Sequence, residues 1–434
     1  MQIKRSKNKD NIRDSSVAFY FNYALGSPPL ELHISAVKDI LSRGNSVTIY
    51  MCEGDLTSCT VNPFHSRSIC NFCKFRSSSA LEVVGPNVVV KRLLLEQSSK
   101  IIDQKIFDSL ELGVMSSIAS AVKAQSIEQL NSKWKGVHRN MLANAQRLYN
   151  FFLSEIFENK YDYLFMFNGR FGDVKPALEA AKTAGISFGL YDVKKSLHEV
   201  VFVDELVHSI SANTQRALTS YVKNPEIARE NAAIFFAKKE KKEDTGDPTF
   251  TKNQLAGDLP DQIKNTTKKI VAIYPTTDDE YKFIGQEWDG YVPDDQVLEI
   301  EQLAEVLSSK DYIIVVKMHP NQATTAEQIL DRYLALQKNH PHVIIEEPLS
   351  KKDTYALMNK ADYVINFAST IGVEACFARK IVIAIGDTTF SQMNIAYKTK
   401  SGYEAGSLIL RGDLKPKPIR GAIIWGNYLY TYAD

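Results

Sequence analysis

The fold is decided by residues 312–321, YIIVVKMHPN, and residues 361–386, ADYVINFASTIGVEACFARKIVIAIG. The first is an apolar strand that ends in His319-Pro320. Between the two, residues 326–336 read as a helix, 343–347 as a strand and 354–358 as a helix. Residues 363–367 are another strand, Ser369-Thr370-Ile371-Gly372-Val373-Glu374 opens a helix, and 381–385 is a strand again. Apolar strands alternating with helices indicate a parallel, doubly wound α/β sheet. Polar residues collect at strand C-termini and at a helix start. Such sheets place ligands there, and a helix start suits a phosphate.

Working outward, residues 270–274 form an earlier strand that ends in Pro275-Thr276-Thr277-Asp278-Asp279-Glu280, with a helix near 297–307. The N-terminal half opens the same way. It has a strand at 17–22, a Gly-Ser-Pro-Pro turn at Gly26–Pro29, a helix at 30–41 and a strand at 46–52. A polar excursion over 53–79 precedes a further strand at 88–94. Long helices are expected at 102–124 and 137–157. Strand 161–168 ends in Asn168-Gly169-Arg170, and helix 174–184 and strand 186–191 follow. Residues 238–268 are rich in Lys, Asp, Thr, Gly and Pro and read as a domain boundary, or as a surface loop folded onto the second domain. The expected domains are residues 1–237, a linker at 238–268, and residues 269–434. Residues 421–432 read as a C-terminal helix that packs back across the domains.

A chain of 434 residues exceeds one ordinary core. Hydrophobic and charged contents of 44% and 24% are those of a globular protein. Lys and Arg number 52 against 51 Asp and Glu, so no global electrostatic case for nucleic acid arises. Residues 1–14 are polar, with no apolar signal core, and no apolar run reaches membrane-spanning length. The expectation is a cytoplasmic protein. Its basic tail is most simply disordered, but could touch anionic lipid at the inner face of the membrane.

Several residues carry candidate chemistry. Lys317 and His319 stand two apart at a strand end and can meet a phosphate. Ser369 and Thr370 can cap the following helix or bind a phosphate, Gly372 permits close backbone approach, and Glu374 can accept ribose hydroxyls. Thr276, Thr277 and Glu280 occupy the corresponding edge after the first strand, where an ordinary capping turn is the alternative. In the N-terminal half, Glu31, His33, Asp192, His198 and Glu199 are candidate bases, and Asn168 and Arg170 are candidate acceptor or anion ligands.

With these residues in view, KMHPN followed by ADYVINFASTIGVEACFARKIVIAIG resembles the C-terminal half of GT-B glycosyltransferases of bacterial capsule and surface-polysaccharide synthesis. The Kdo-transferase-like capsule proteins are most similar. The glycerophosphotransferases of teichoic acid synthesis and the sugar-nucleotide 2-epimerases are more distant. The resemblance spans about residues 268–388. It implies two Rossmann-like domains facing a cleft, with the nucleotide held by His319, Ser369, Thr370 and Glu374. It implies an acceptor and a catalytic base in the N-terminal domain, and no metal required for catalysis. The expected partners are a nucleotide sugar and a saccharide or lipid-linked acceptor. A sugar-nucleotide epimerase and a non-catalytic nucleotide-binding subunit of a polysaccharide assembly complex are the alternatives.

The fifty-second residue begins a second pattern, Cys52-x6-Cys59-x10-Cys70-x2-Cys73. Four thiols in a reducing compartment suit a structural tetrahedral zinc ion, with His65 able to replace one of them. Free or partly paired thiols, disulfides and an iron–sulfur cluster remain open. Cys376 reads as a small core residue.

Overall fold

The computed structural model describes residues 12–26, 29–96, 102–123, 127–194, 198–245, 250–277, 281–324 and 327–431; side chains are described in these ranges except at 193–194, 198–202, 286, 324 and 327–328. The chain divides into two units, with the boundary between Ser209 and Ile210 and with residues 282–285 assigned to the first.

The first unit is built on β1 (Ser16–Phe21), β2 (Ser46–Met51), β3 (Val89–Arg92), β4 (Tyr163–Phe167), β5 (Ser187–Lys194) and β6 (His198–Val203), in the order β3-β2-β1-β4-β5-β6. All pairs are parallel except β5–β6. Helices α1 (Pro29–Leu41), α2 (Arg67–Val84), α3 (Gln104–Val122), α4 (Ser132–Asn159) and α5 (Lys175–Ala184) connect the strands. Alternate residues of β1 point to opposite faces, and both faces are buried. On one face Phe19 and Phe21 pack with Val37, Ile49, Phe165 and Tyr191. The polar stretch expected to be a plain excursion contains α2. This helix escapes a periodicity reading because it buries only Ser77 and Ala80.

The second unit begins earlier than expected. Helices α6 (Ile210–Lys223) and α7 (Pro225–Glu240) belong to it, followed by the short α8 (Asp261–Lys264). Its strands are β7 (Lys269–Tyr274), β8 (Tyr312–Lys317), β9 (Val343–Glu346), β10 (Tyr363–Asn366), β11 (Ile381–Ile385) and β12 (Tyr397–Thr399), one more than expected. Every pair is parallel, in the order β12-β11-β10-β7-β8-β9. The remaining helices are α9 (Gln296–Val306), α10 (Glu327–Asn339), α11 (Thr354–Lys360), α12 (Ile371–Phe377), α13 (Gly402–Arg411) and α14 (Arg420–Thr431). Each face of the sheet carries its own apolar layer, one around Val364, Val382 and Trp425, the other around Ile314, Ile365 and Ile383.

Numbered from the first strand of each unit, both sheets have the Rossmann order 3-2-1-4-5-6. Described residues of the 238–268 stretch bond to the second unit. Lys242 pairs with Asp353, the Gly257 amide donates to the same carboxylate, and the Leu255 amide donates to the Lys351 carbonyl. The C-terminal helix α14 packs on α6 and α7 inside the second unit.

Candidate functional site

In a doubly wound sheet the crevice opens at strand C-termini where the strand order reverses. In the second unit that point lies at β7, between β10 and β8. A cavity of about 320 Å³ sits there. It is lined by Thr276 after β7, Lys317 and His319 at the end of β8, Ser369 and Thr370 after β10, and Glu374 on α12. Six of the nine expected donor-site residues are therefore brought together. The other three differ. Glu280 lies outside the described residues. Thr277 is buried beside the cavity without lining it. Gly372 serves packing instead of ligand approach: a Cβ there would sit 2.2 Å from Asn366 Nδ2, itself bonded to the Ser369 carbonyl.

Lys317 is 5% exposed, and its Nζ donates to the Ser350 carbonyl at 3.1 Å. Burial pulls its pKa down to about 8, against the opposing pull of Glu346 and Asp353. His319 is fixed at three points. Its amide donates to Gln322 Oε1 (2.8 Å), its Nδ1 accepts from the Asn321 amide (3.2 Å), and its ring meets Phe250 edge-on at 4.9 Å. An Nδ1 that accepts leaves Nε2 as the protonated nitrogen of the neutral ring. Thr370 sits at the N-cap of α12, but its side chain makes no capping bond. The ordinary capping role is thus not the one its hydroxyl plays. Glu374 bonds the Tyr355 hydroxyl, and burial together with that carboxylate raises the Tyr355 pKa.

Other parts of the site were not legible beforehand. Thr276 is clamped by Gln296, whose Oε1 accepts from its amide and whose Nε2 donates to its carbonyl, both at 3.0 Å. Phe250, Thr251 and Gln254 line the cavity from the stretch expected to be a linker. Asp353, the N-cap of α11, gathers the Gly257, Tyr355 and Ala356 amides and Lys242 Nζ. Burial works to raise its pKa, but those donors outweigh it and hold the carboxyl below its ordinary value.

In the first unit the expected base set separates. His33 is fully buried, lies 4.3 Å from the Phe21 ring and bonds the Tyr191 hydroxyl through Nδ1. Burial drives its pKa down to about 3, so it is a core imidazole held neutral and not a base open to substrate. Glu31 lies on the surface and pairs with Arg76 at 3.0 Å. His198 opens β6, and its side chain and that of Glu199 lie outside the description. Asp192 is the member with a site around it. Asn168 Nδ2 donates to Asp192 Oδ2 at 2.9 Å and lies 3.3 Å from His208 Nε2, a partner the sequence did not suggest. Asn168 stands just past β4 with φ +59, a left-handed conformation asparagine tolerates. Arg170 is turned inward, where Nε donates to Ser116 (2.7 Å) and Nη2 to Ser120 (3.1 Å).

The chain aligns with several solved structures at low identity. The UDP-GlcNAc 2-epimerase of Neisseria meningitidis, solved with UDP-GlcNAc, is 13% identical over 94% of this chain and 97% of that one, with a TM-score of 0.30. The KpsC β-Kdo 2,4-transferase of Thermosulfurimonas dismutans is 14% identical over 61% of this chain and 78% of that one, with a TM-score of 0.40. The corresponding 2,7-transferase is 13% identical over 64% and 79%, with a TM-score of 0.39. No curated protein matches the chain. Residues 253–402, which supply all the cavity-lining residues named above except Phe250 and Thr251, match the capsule polysaccharide biosynthesis protein family.

Proposed function

We propose that this protein is a glycosyltransferase that moves a sugar from a nucleotide donor to a saccharide or lipid-linked acceptor in capsule synthesis. One observation carries this reading. Thr276, Lys317, His319, Ser369, Thr370 and Glu374 arrive from three separate strand ends at one cavity, at the point where the strand order reverses. A buried ammonium, an imidazole N–H and two hydroxyls beside a helix start make a set suited to a donor phosphate. In the reaction they stabilise the negative charge that develops on the departing nucleotide as the glycosidic bond to phosphate breaks. In this reading Glu374, which lines the cavity, accepts hydrogen bonds from the ribose hydroxyls. The acceptor hydroxyl must lose its proton as the new bond forms, and Asp192, oriented by Asn168, is the candidate carboxylate for it.

A lipid-linked acceptor would bring the enzyme to the inner face of the membrane. Among the described residues no helix is long and apolar enough to cross one. The test is incubation with a panel of nucleotide sugars, following nucleotide release with and without saccharide acceptors. Acceptor-dependent release is expected. Asp192→Asn should slow it at least tenfold while leaving nucleotide binding unchanged. Conversion of the free sugar nucleotide without an acceptor would make the protein an epimerase, and binding without turnover would make it an assembly subunit.

A further inference from the structure

Four of the five cysteines surround one small cavity in the first unit, far along the sequence from the donor site. Cys52 follows β2, Cys59 sits in the loop after it, and Cys70 and Cys73 lie one turn apart on α2. The cavity, about 20 Å³, is also lined by Asn22, just past β1.

The sulfurs are met by nitrogen donors. The amides of Gly54, Asp55 and Leu56 serve Cys52, those of Val61 and Asn62 serve Cys59, and those of Ala24 and Leu25 serve Cys73. Asn62 Nδ2 approaches Cys70 Sγ at 3.2 Å. Such donors favour thiolate over thiol. A cradle of donors around four sulfurs that share one cavity suits thiolates on a bound cation.

Asn22 gives independent support. It is 6% exposed, and neither Oδ1 nor Nδ2 has a hydrogen-bond partner among the described residues. A buried carboxamide left unpaired is costly, and this one lines the cysteine cavity. The pair points to a polar occupant.

We propose that Cys52, Cys59, Cys70 and Cys73 hold a soft metal centre through four thiolates, tying the loop after β2 and helix α2 to the strand ends of β1 and β2. Among the described residues no three His, Cys, Asp or Glu side chains are gathered closely enough to hold a single ion as they stand. A zinc ion, with its bonds of about 2.3 Å, therefore requires the thiols to rotate inward. An iron–sulfur cluster, which four cysteine thiolates also hold, would sit among them.

The full chain, purified without oxygen or chelator, is analysed for zinc, iron and acid-labile sulfide. One zinc per chain, or iron with matching sulfide and visible charge-transfer absorption, supports the centre and identifies its form. Cys59→Ser and Cys70→Ser should lose most of the metal, and Cys376→Ser should retain it. Because a serine variant can misfold, wild-type protein stripped by chelator is also titrated with Co(II), whose tetrahedral thiolate spectrum reports the ligands directly. Folded protein that carries no metal, takes up neither zinc nor cobalt and cannot be reconstituted with iron and sulfide overturns the proposal. Metal content unchanged in the Cys59→Ser and Cys70→Ser variants does the same.

Discussion

Lys317 shows at the scale of one residue how burial and ligand are coupled. Its folded pKa of about 8 lies below its ordinary 10.5, so between these values the unfolded chain binds the proton and the fold does not. Stability attributable to this group therefore rises with pH across that window. A phosphate in the cavity works in the opposite direction, because a negative neighbour favours the ammonium. Nucleotide affinity is expected to fall as pH rises through about 8. Binding near that pH should take up a proton, visible as a calorimetric enthalpy that depends on the buffer's ionisation heat. Lys317→Met should bind more weakly and lose both effects. Lys317 and His319 were legible in the sequence because each ends an unbroken apolar strand, which fixes where the side chain emerges. His33 was misread for a related reason. A polar residue on an amphipathic helix resembles a site residue until its partners, Phe21 and Tyr191 from other strands, are known.

At the scale of elements, Phe250, Thr251 and Gln254 hold one wall of the cavity. The composition of residues 238–268 suggested a domain boundary or a surface loop folded onto the second domain. Their tertiary bonds, Lys242 and Gly257 to Asp353 and Gln254 to the Thr354 amide, are long-range and leave no local periodicity to read. Phe250 is 44% exposed and makes an edge-on contact with His319. Phe250 also lines the cavity, and a lost aromatic contact of about 0.5–1.5 kcal/mol means that Phe250→Ala should weaken nucleotide binding about two- to tenfold. Asp353 is the hub that fastens the same segment. Asp353→Asn should cost about 1–3 kcal/mol in urea unfolding at neutral pH, since it weakens an N-cap and leaves the half-buried Lys242 ammonium without its carboxylate. The Asp353 contribution is present above the ordinary carboxylate range and is lost as pH falls through its lowered folded value. The difference between variant and wild type should therefore shrink in acid.

At the scale of the whole molecule, two Rossmann-ordered sheets on one chain were legible as two runs of alternating strands and helices. Their boundary was not. The expected first domain, residues 1–237, took in helices α6 and α7, but α14 from the other end of the chain packs on both and they belong to the second unit. The strand ends of the second unit carry the central claim, that its cavity binds a nucleotide through Lys317 and His319. Ligand binding to the native state raises the melting temperature by mass action. Thermal unfolding of the full chain with millimolar CMP, CDP, UDP and GDP tests that claim most directly. At least one nucleotide should raise the melting temperature of the wild type, and the rise should be lost in Lys317→Met and His319→Ala. No rise with any nucleotide, or a rise that both variants retain in full, would contradict it.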